Sequence, residues 1–471
     1  MLPLKNEPRL SSPRRVYAPG MTRPTILVAG GGPAGATVAA ILAKEGAKVT
    51  LIEKAHFPRH HVGESLQPAS FDLLNFHLGL GPLMASQGFP LKFGAIYEWG
   101  EASKRWSVLF DERLQEGAGH LDREALLSGD YLHAYQVERS VFDQILLDHA
   151  ASRGVEVRQG VEARAPLMDG ERVTGLTVRG SDGEETLHAD LVIDATGTRC
   201  LLGRHLGLYQ EVKDLRATAT YAYFEGAGGV DETLGRSVQL VVTIPEGWVW
   251  FIPVSENKTS VGIVTHERRK LSAERFAEIL SRTTLPMEGA TPLPGPKGSP
   301  FRYEKDWSYT HTQFTGPGWM MVGDAACFTD PILSGGVDFA IRGACNAAVA
   351  VLSTAADPAE ESAIMMAYQA RLKDEFAAYL KLARYWYGNN RAVEGLFWKM
   401  HEFIPVSSIS TPLRAFVYQT SGECDADAHF HVFSLAQEKK IFRNLAVDPD
   451  QVKDALRRAR RHLKVRGETE D

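Results

Sequence analysis

The stretch Thr25-Ile26-Leu27-Val28-Ala29-Gly30-Gly31-Gly32-Pro33-Ala34-Gly35 decides the fold of this chain. An apolar, β-rich run leads directly into a glycine turn, and a helical pattern follows over 36–46. A second predicted strand, 47–52, ends at Glu53, 23 residues after Gly30. The glycines allow close approach of the backbone to a pyrophosphate, and Glu53 is placed to meet a ribose hydroxyl. This order of features predicts a dinucleotide-binding α/β domain rather than a purely structural glycine turn.

The segment Gly247-Trp248-Val249-Trp250-Phe251-Ile252-Pro253 is the second distinctive stretch. Alternate residues of a strand point to the same face, so Trp248 and Trp250 are expected side by side, with Pro253 ending the strand. The turn residues 245–247 predict a hairpin with the preceding strand. The motif alone leaves two interpretations of the tryptophan pair open, a functional role and ordinary core packing. A related pattern also occurs in flavin reductases of isoprenoid chains.

Two further segments favour FAD over NAD as the dinucleotide. Residues 191–197, LVIDATG, and 319–326, WMMVGDAA, each predict a buried strand ending in a tight turn. Both resemble segments of FAD enzymes with the p-hydroxybenzoate hydroxylase fold, in which the aspartate at the Asp324 position binds the ribityl or ribose portion of the flavin. A helix N-cap is the alternative role for Asp324. Residues 136–143, QVERSVFD, resemble a helix of that family whose arginine, here Arg139, lies near the flavin; an exposed, ion-paired arginine is the alternative.

With these segments in place, the chain resembles the flavin-dependent halogenases, especially the branch that acts on phenols and pyrroles, from about residue 25 to 350. Besides W-x-W-x-I-P, three pieces carry the resemblance: 62–68, VGESLQP; 88–94, GFPLKFG, followed by Trp99-Gly100; and 330–337, DPILSGGV. It implies an α/β fold with a Rossmann-like FAD-binding domain, an inserted antiparallel sheet on the substrate side, and a helical C-terminal region.

The resemblance and the glycine fingerprint together assign residues to the cofactor and to halide. The residues expected at FAD are Gly30, Gly32, Pro33, Ala34, Gly35, Glu53, Lys54, Glu64, Ser65, Arg139, Gly197, Asp324, Pro331, Gly336 and Val337. The family's halide loop maps onto Ser334, Gly335 and Gly336, small residues that can form a nest of N–H groups. The tryptophan motif maps onto Trp248, Trp250, Ile252 and Pro253 and is expected to wall substrate off from the flavin.

The chemistry that the resemblance implies requires a lysine, and Lys92 is the candidate. Reduced FAD from a separate reductase, O2, and chloride or bromide are expected to give hypohalous acid. A lysine amine can hydrogen-bond this oxidant or become a chloramine, and the family's essential lysine maps onto Lys92, the catalytic candidate. Burial among Phe89, Leu91 and Phe93 is expected to lower its pKa and favour the neutral amine. A surface lysine in a polar turn is the alternative.

One departure from the family pattern bears on the substrate. Tryptophan halogenases carry a glutamate in the halide loop, whereas the corresponding position here is Leu333. This argues against free tryptophan and favours a phenol or pyrrole, either free or tethered to a carrier protein. Asp338 lies where the phenol branch often has histidine, and we expect it to be an exposed helix aspartate.

Length and composition fit a globular enzyme. The 471 residues are 44% hydrophobic and carry a net charge of −6, which gives no global signature of nucleic-acid binding. The four cysteines, Cys200, Cys327, Cys345 and Cys424, form no C-x-x-C pair and indicate neither a metal site nor a disulfide framework. No apolar run is expected to reach the length of a membrane span, and a cytoplasmic protein is predicted.

The predicted organisation has three parts. Residues 1–24 are expected to be a disordered leader, and residues 25–355 the FAD-binding monooxygenase-like domain, with its substrate-side sheet at about 90–110 and 211–305. Residues 356–471 are expected to be helical. A final helix over 449–465 carries Arg457 and Arg461, and either a solvated face or a docking surface for an acidic carrier protein explains its charge.

Three functions remain open on the sequence. A two-component FADH2-dependent halogenase is the first. An aromatic monooxygenase of the same fold, which would need neither halide nor Lys92, is the second. An isoprenoid-type flavin reductase, which would need no oxygen, is the third.

Overall fold

A computed structural model describes residues 23–98, 105–111, 114, 131–267, 269–295 and 298–388, which form a mixed α/β architecture. The helices of this part are α1 (Pro33–Lys44), α2 (Pro68–Leu78), α3 (Gly81–Ala85), α4 (Arg139–Ser152), α5 (Leu201–His205), α6 (Ala273–Ser281), α7 (Gly336–Ala356) and α8 (Glu361–Gly388). Short 3-10 turns are Gly197–Arg199, Lys213–Leu215, Gly323–Ala325, Pro331–Leu333 and Pro358–Glu360. The strands are β1 (Thr25–Ala29), β2 (Lys48–Glu53), β3 (Leu91–Lys92), β4 (Gly94–Glu98), β5 (Trp106–Leu109), β6 (Ala134–Tyr135), β7 (Glu156–Gln159), β8 (Glu162–Asp169), β9 (Arg172–Gly180), β10 (Gly183–His188), β11 (Leu191–Asp194), β12 (Tyr209–Glu211), β13 (Thr218–Glu225), β14 (Gln239–Ile244), β15 (Gly247–Pro253), β16 (Lys258–Thr265), β17 (Thr291–Pro292), β18 (Arg302–Lys305), β19 (Tyr309–His311), β20 (Thr315–Gly316) and β21 (Trp319–Met321).

The first sheet of the described chain is a mostly parallel one in the order β20-β21-β11-β1-β2-β7. Its centre, β1, is an unbroken apolar run, as expected for a parallel strand that is covered on both faces. Helix α1 connects β1 to β2, and all its residues from Pro33 to Ala43 are buried. The carboxyl ends of β1 and β11 therefore meet at the glycine turn, where such sheets bind their ligands.

The second large sheet runs in the order β17-β13-β16-β15-β14-β4-β5 among the described strands, with β18 also paired to β13. It is antiparallel except where β14 pairs with β4. One face packs around Phe251 and Phe276, and the other carries Trp248, Trp250 and Tyr221 toward the first sheet. The two sheets thus enclose a space between glycine turns on one side and aromatic rings on the other.

The structure confirms several predicted elements and changes others. The hairpin before the tryptophans is present, since Thr243 pairs with Trp248 and Ile244 with Gly247. The first helix begins at Pro33, three residues earlier than the apolar pattern suggested, because proline favours the first helical turn. The stretch 291–300, which the sequence predicts to be a loop, contains a short strand at Thr291–Pro292 that pairs with β13.

Some predictions lie outside the described residues. These are the leader at 1–22, Trp99-Gly100, Cys424, and the C-terminal region beyond residue 388 with its final basic helix. Within the described part, the C-terminal region is represented by the long helix α8.

The prediction about membrane spans needs correction. Helix α7, Gly336–Ala356, is long and apolar enough to cross a membrane by length and composition. However, 72% of its apolar window is buried inside the protein, between α1 and α8, as in the core helix of a globular domain.

Candidate functional site

The glycine turn after β1 is closed by two contacts that tolerate no side chain. A Cβ on Gly30, whose φ is +110°, would lie 2.2 Å from the carbonyl oxygen of Ala195 at the end of β11. A Cβ on Gly35 would lie 1.9 Å from the carbonyl oxygen of Gly30. Gly32 precedes α1 and offers no side-chain cap to the first N–H groups of the helix. These donors and the helix dipole are therefore free to meet a phosphate.

Glu53 ends β2 beside this turn. One of its carboxylate oxygens accepts a hydrogen bond from Gly31 N at 2.8 Å, and the other accepts one from Ala55 N at 2.9 Å. The side chain is 6% exposed and lines the space between the sheets. Each oxygen keeps a second lone pair, so the carboxylate can still accept a hydrogen bond from a ligand hydroxyl.

The space between the sheets is a cavity of about 500 Å³. It brings together residues that the sequence places at FAD, halide and the tryptophan motif, namely Gly30, Gly32, Pro33, Ala34, Glu53, Lys54, Glu64, Ser65, Arg139, Gly197, Trp248, Trp250, Ile252, Asp324, Pro331, Ser334, Gly336 and Val337. Four of the named residues do not line it: Gly35, Lys92, Pro253 and Gly335. Gly35 instead packs α1 against the glycine turn.

Arg139 is buried, which removes the alternative of an exposed helix arginine. It is 5% exposed, and its Nε and Nη2 donate to the two oxygens of Asp143 at 2.7 and 2.9 Å. Its Nη1 donates to the carbonyl of Val62 at 2.6 Å and so fixes the loop before Glu64. Burial alone lowers the pKa of Arg139, but the Asp143 carboxylate outweighs it and raises that pKa. The site therefore has a permanent cation at one wall.

Asp324 lies in the 3-10 turn after β21 and faces the same cavity. The N-cap of that turn is Val322, and no side chain caps it, so the alternative role of Asp324 as an N-cap is wrong. Burial raises the pKa of Asp324 to about 6, with Arg139 opposing this shift. A carboxyl group in this position is suited to a ligand hydroxyl.

The predicted halide loop leads into α7. Asp330 caps the turn Pro331–Leu333 by accepting from Ile332 N at 2.9 Å, and Ser334 follows with a left-handed φ of +56°. No side chain caps α7, so its first N–H groups lie open at Gly336. Gly335 faces the other way, since a Cβ there would lie 2.6 Å from the Tyr379 ring.

The two tryptophans lie side by side, as the strand period predicts. Their ring centroids are 5.9 Å apart, and both indoles are buried. Trp250 Nε1 donates to Ser260 Oγ at 3.1 Å, and Trp248 Nε1 donates to the hydroxyl of Tyr387 at 2.9 Å. Tyr221 of β13 extends the same face, 5.8 Å from Trp250. Both indole N–H groups are thus hydrogen-bonded, which fixes the orientation of each ring in the wall.

Lys92 is 2% exposed, which excludes a surface lysine. Its Nζ donates to the carbonyl of Leu66 at 2.8 Å and lies 5.2 Å from the Phe110 ring centroid. In the described part of the chain no carboxylate lies within 4 Å of this amine. Burial lowers the pKa of Lys92 to about 7. The amine thus stands behind the loop whose Glu64 and Ser65 line the cavity.

A hydrogen-bond network that the sequence analysis missed joins the tryptophan wall to the halide loop. The hydroxyl of Tyr387, on α8, accepts from Trp248 and lies 3.0 Å from both carboxylate oxygens of Asp330. Burial raises the pKa of Asp330 to about 6. The sequence shows Tyr387 only as part of an aromatic cluster, for which a substrate groove and core packing are both open interpretations: Tyr379, Tyr385, Trp386, Tyr387, Phe397 and Trp398.

Other cavity residues were also missed. Arg59, His60 and His61 follow β2, and Gln239 of β14 accepts a hydrogen bond from Ser334 Oγ at 3.2 Å. The run of three basic residues directly before the V-G-E-S loop is the signal that could have identified the first group.

The expectation that Asp338 is exposed is wrong. Asp338 is fully buried, accepts a hydrogen bond from Ser70 Oγ at 2.9 Å and forms an ion pair with Arg342 one helical turn later. It therefore holds α2 against α7. The side chain of Leu333 lies outside the described residues.

Comparison with known proteins settles the family. The family model for tryptophan halogenases matches residues 25–123 and 118–460. The chain belongs to this family of flavin-dependent halogenases. A tryptophan 2-halogenase from Chondromyces crocatus is 34% identical over 398 residues, covering 82% of this chain and 72% of the relative. A 1H-pyrrole-2-carbonyl-[peptidyl-carrier protein] chlorinase from Pseudomonas fluorescens is 33% identical over 346 residues, covering 68% and 73%.

Solved structures of flavin-dependent halogenases are similar to this chain as well. The myxobacterial chondrochloren halogenase CndH, described as an FAD-dependent halogenase variant, is 28% identical, with a TM-score of 0.71, covering 94% of this halogenase and 98% of that chain. The flavin-dependent halogenase CmlS is 30% identical, with a TM-score of 0.68, covering 84% and 68%.

The cavity of this halogenase fits FAD on its own geometry. Its volume of about 500 Å³ lies within the usual range for cofactor sites. Two uncapped helix N-termini, at Gly32 and Gly335, lie beside it, and an aromatic face closes one side. Ser65 Oγ is buried in the wall without a hydrogen-bond partner among the described residues, as expected for a group that binds a ligand.

Proposed function

We propose that this enzyme uses FADH2 from a separate flavin reductase, together with O2 and chloride or bromide, to halogenate an electron-rich aromatic ring in natural-product biosynthesis. Held by residues such as Arg139 and Asp324, FADH2 would deliver two electrons to O2 and halide would give up two more, which would yield FAD, hypohalous acid and one water. The aromatic C–H bond is then replaced by a carbon–halogen bond, and water is released.

The observation that carries the proposal is the isolated amine of Lys92. Lysine is almost never fully buried without a paired carboxylate, because burial of its charge is costly. Here the described residues place only a carbonyl and an aromatic ring beside it. With its pKa lowered to about 7, a large fraction of the amine is neutral at physiological pH. A neutral amine can accept a hydrogen bond from hypohalous acid or take the halogen, and so aim it at the substrate.

Other residues have supporting roles in this proposal. The open N–H groups at Gly336, at the start of α7, hold halide beside Ser334, whose own N–H donates to the Pro331 carbonyl. Arg139 and Asp324 bind the polar parts of FAD. The paired indoles of Trp248 and Trp250 keep the substrate ring away from the cofactor, so that halide is oxidised first.

For the substrate we propose a phenol or pyrrole, free or on a carrier protein. Position 333 carries an apolar residue where tryptophan halogenases have a glutamate, and an electron-rich ring needs less help with a cationic intermediate. One relative is named for a carrier-bound pyrrole and another for tryptophan, so tryptophan belongs in the test panel. We place the enzyme in the cytoplasm, where reduced flavin is supplied.

The test is a product assay with FAD, a flavin reductase, NADH and oxygen, with and without chloride or bromide. Free and carrier-tethered phenols and pyrroles, and tryptophan, are read by mass spectrometry. We expect a halide-dependent mass gain that Lys92→Met abolishes and that Lys305→Met, an exposed lysine on β18, retains. A hydroxylated product that ignores both halide and Lys92→Met would instead establish an aromatic monooxygenase.

A further inference from the structure

A second cavity, of about 240 Å³, adjoins the flavin cavity. His60, His61 and Arg139 line both cavities. The remaining walls come from the start of α4, from β13, β16 and β18, and from the segment after β17: Glu138, Ser140, Tyr223, Lys258, Leu293, Pro294 and Arg302. None of these seven residues lines the flavin cavity, so the second cavity has walls of its own.

The charge of this cavity is positive. Arg139 shares the Asp143 carboxylate with Arg59, and Lys258 Nζ lies 2.7 Å from Glu138 Oε1. Arg302 has no such partner, since no carboxylate lies within 4 Å of it among the described residues. Its Nη1 donates weakly to a backbone carbonyl at 3.3 Å, and its Nε is buried without a hydrogen-bond partner in the described part. One guanidinium charge is therefore uncompensated.

Tyr223 brings two of the cations together. Lys258 Nζ lies 4.8 Å from its ring centroid, and Arg302 Cζ lies 5.1 Å from it. The hydroxyl of Tyr223 donates to Glu64, which fixes the ring. Two cations over one aromatic ring form a cluster that stays partly desolvated and attracts an anion.

The positive charges of this cavity also act on His60. Burial, and then the charges of Arg302, Lys258 and Arg139, lower the pKa of His60 to about 4, with Glu138 opposing the shift. The imidazole is therefore neutral at physiological pH. Its Nε2 lies 3.2 Å from the Tyr221 hydroxyl, beside the tryptophan wall.

Gly63 lies between Arg139, which lines both cavities, and the first turn of α7. A Cβ on Gly63 would lie 3.1 Å from Arg139 Nη1 and 3.8 Å from Cγ2 of Val337, the second residue of α7. The lack of a side chain at Gly63 leaves room for Arg139 Nη1 beside this backbone.

We propose that the second cavity is a binding site for a small inorganic anion, centred on Arg302 and Lys258, and that halide occupies it before reaching the loop at Ser334 and Gly336. That halide is the natural occupant rests on the proposed function. Anion binding itself rests only on the charges and contacts of the cavity.

Bromide anomalous diffraction tests the site directly. Crystals of the full chain with oxidised FAD are grown at bromide concentrations around the KM for bromide. We expect an anomalous peak beside Arg302 that is lost in Arg302→Met and retained in Lys305→Met, which removes the same charge from an exposed position on the same strand. Lys258→Met serves as a second variant if Arg302→Met fails to fold. Absence of the peak, or its appearance only at a large excess over KM (an adventitious ion only), overturns the inference.

Kinetics separates this inference from the proposed function. For Arg302→Met we expect KM for bromide to rise about fivefold or more, with kcat at saturating bromide and KM for the aromatic substrate changed far less. An unchanged KM for bromide in an active halogenase contradicts the site. A bromide peak in a protein that makes no halogenated product would leave the anion site standing and refute the proposed function instead.

Discussion

The two sides of the flavin cavity differ in the groups that line them, since one side is mainly backbone and the other mainly side chains. The glycine side offers backbone groups from short, contiguous segments, at Gly30, Gly32 and Gly336. The aromatic side offers side chains from distant strands and from α8, and Trp248 meets its partner Tyr387 across 139 residues of chain. A backbone site depends on the absence of side chains at a few positions, whereas a side-chain wall depends on the whole topology. We therefore expect a single substitution on the glycine side to cause a large loss of FAD binding and stability. A single substitution on the aromatic side should cause a smaller loss.

The largest effect is expected from Gly30→Ala. Its Cβ would meet the Ala195 carbonyl at 2.2 Å, and φ is +110°, so both the clash and the strain must be relieved by opening the turn. We expect FAD binding to be lost in a fluorescence titration and the melting temperature to fall sharply.

Gly79→Ala is the matched control for that experiment. Gly79 also has positive φ, +69°, but a Cβ there meets nothing within 4 Å. Its cost should be about 1 kcal/mol from backbone strain alone, with FAD binding intact. Equal losses in the two variants would contradict the distinction between a crowded backbone site and an ordinary turn.

The same contrast separates the features that could be predicted from the sequence from those that could not. The strand, turn, helix and acid from Thr25 to Glu53 were predictable because each feature is set by its immediate neighbours. Trp248 and Trp250 were correctly placed side by side because a strand has a period of two. The burial of Asp338 and the link from Tyr387 to Asp330 were not predictable, since they depend on how α2 and α8 pack against α7 and its preceding loop. The same holds for Lys92, whose burial was expected but whose position behind the Leu66 carbonyl required the pairing of β3 with β6.

Lys92→Met is expected to change the pH dependence of stability. The pKa of Lys92 falls from 10.5 in the unfolded chain to about 7 in the folded protein. Between these two values the unfolded chain binds more protons, so this lysine makes stability rise with pH by up to about 1.4 kcal/mol per pH unit. Below pH 7 its full cost is present, and Lys92→Met should be the more stable protein there.

Chemical denaturation at several pH values between 7 and 10 measures this slope. The difference between Lys92→Met and the unmodified chain should shrink as pH rises, while Lys305→Met should keep the original slope. Parallel stability curves for Lys92→Met and the parent would show that the amine is not strongly perturbed. That result would also remove the main physical support for a neutral catalytic lysine.

The smallest effect is expected from Tyr387→Phe, which tests whether the aromatic side and the halide loop act as one unit. The change removes a hydroxyl that accepts from Trp248 Nε1 and lies 3.0 Å from both oxygens of Asp330. Two buried polar groups lose a partner, at a cost of roughly 1–3 kcal/mol in stability. Because Asp330 caps the turn that carries the halide loop, KM for bromide should rise by a few-fold, with the FAD affinity set by the glycine side unchanged.

Tyr303→Phe, on β18, removes a hydroxyl that makes no hydrogen bond among the described residues and should leave every one of these quantities in place. If Tyr387→Phe lowers stability but leaves KM for bromide at its original value, the network only packs α8 against the sheet. If instead it weakens FAD binding as strongly as Gly30→Ala, the two sides of the cavity are coupled. The tryptophan wall, which Tyr387 joins to Asp330, would then also influence FAD binding at the glycine side.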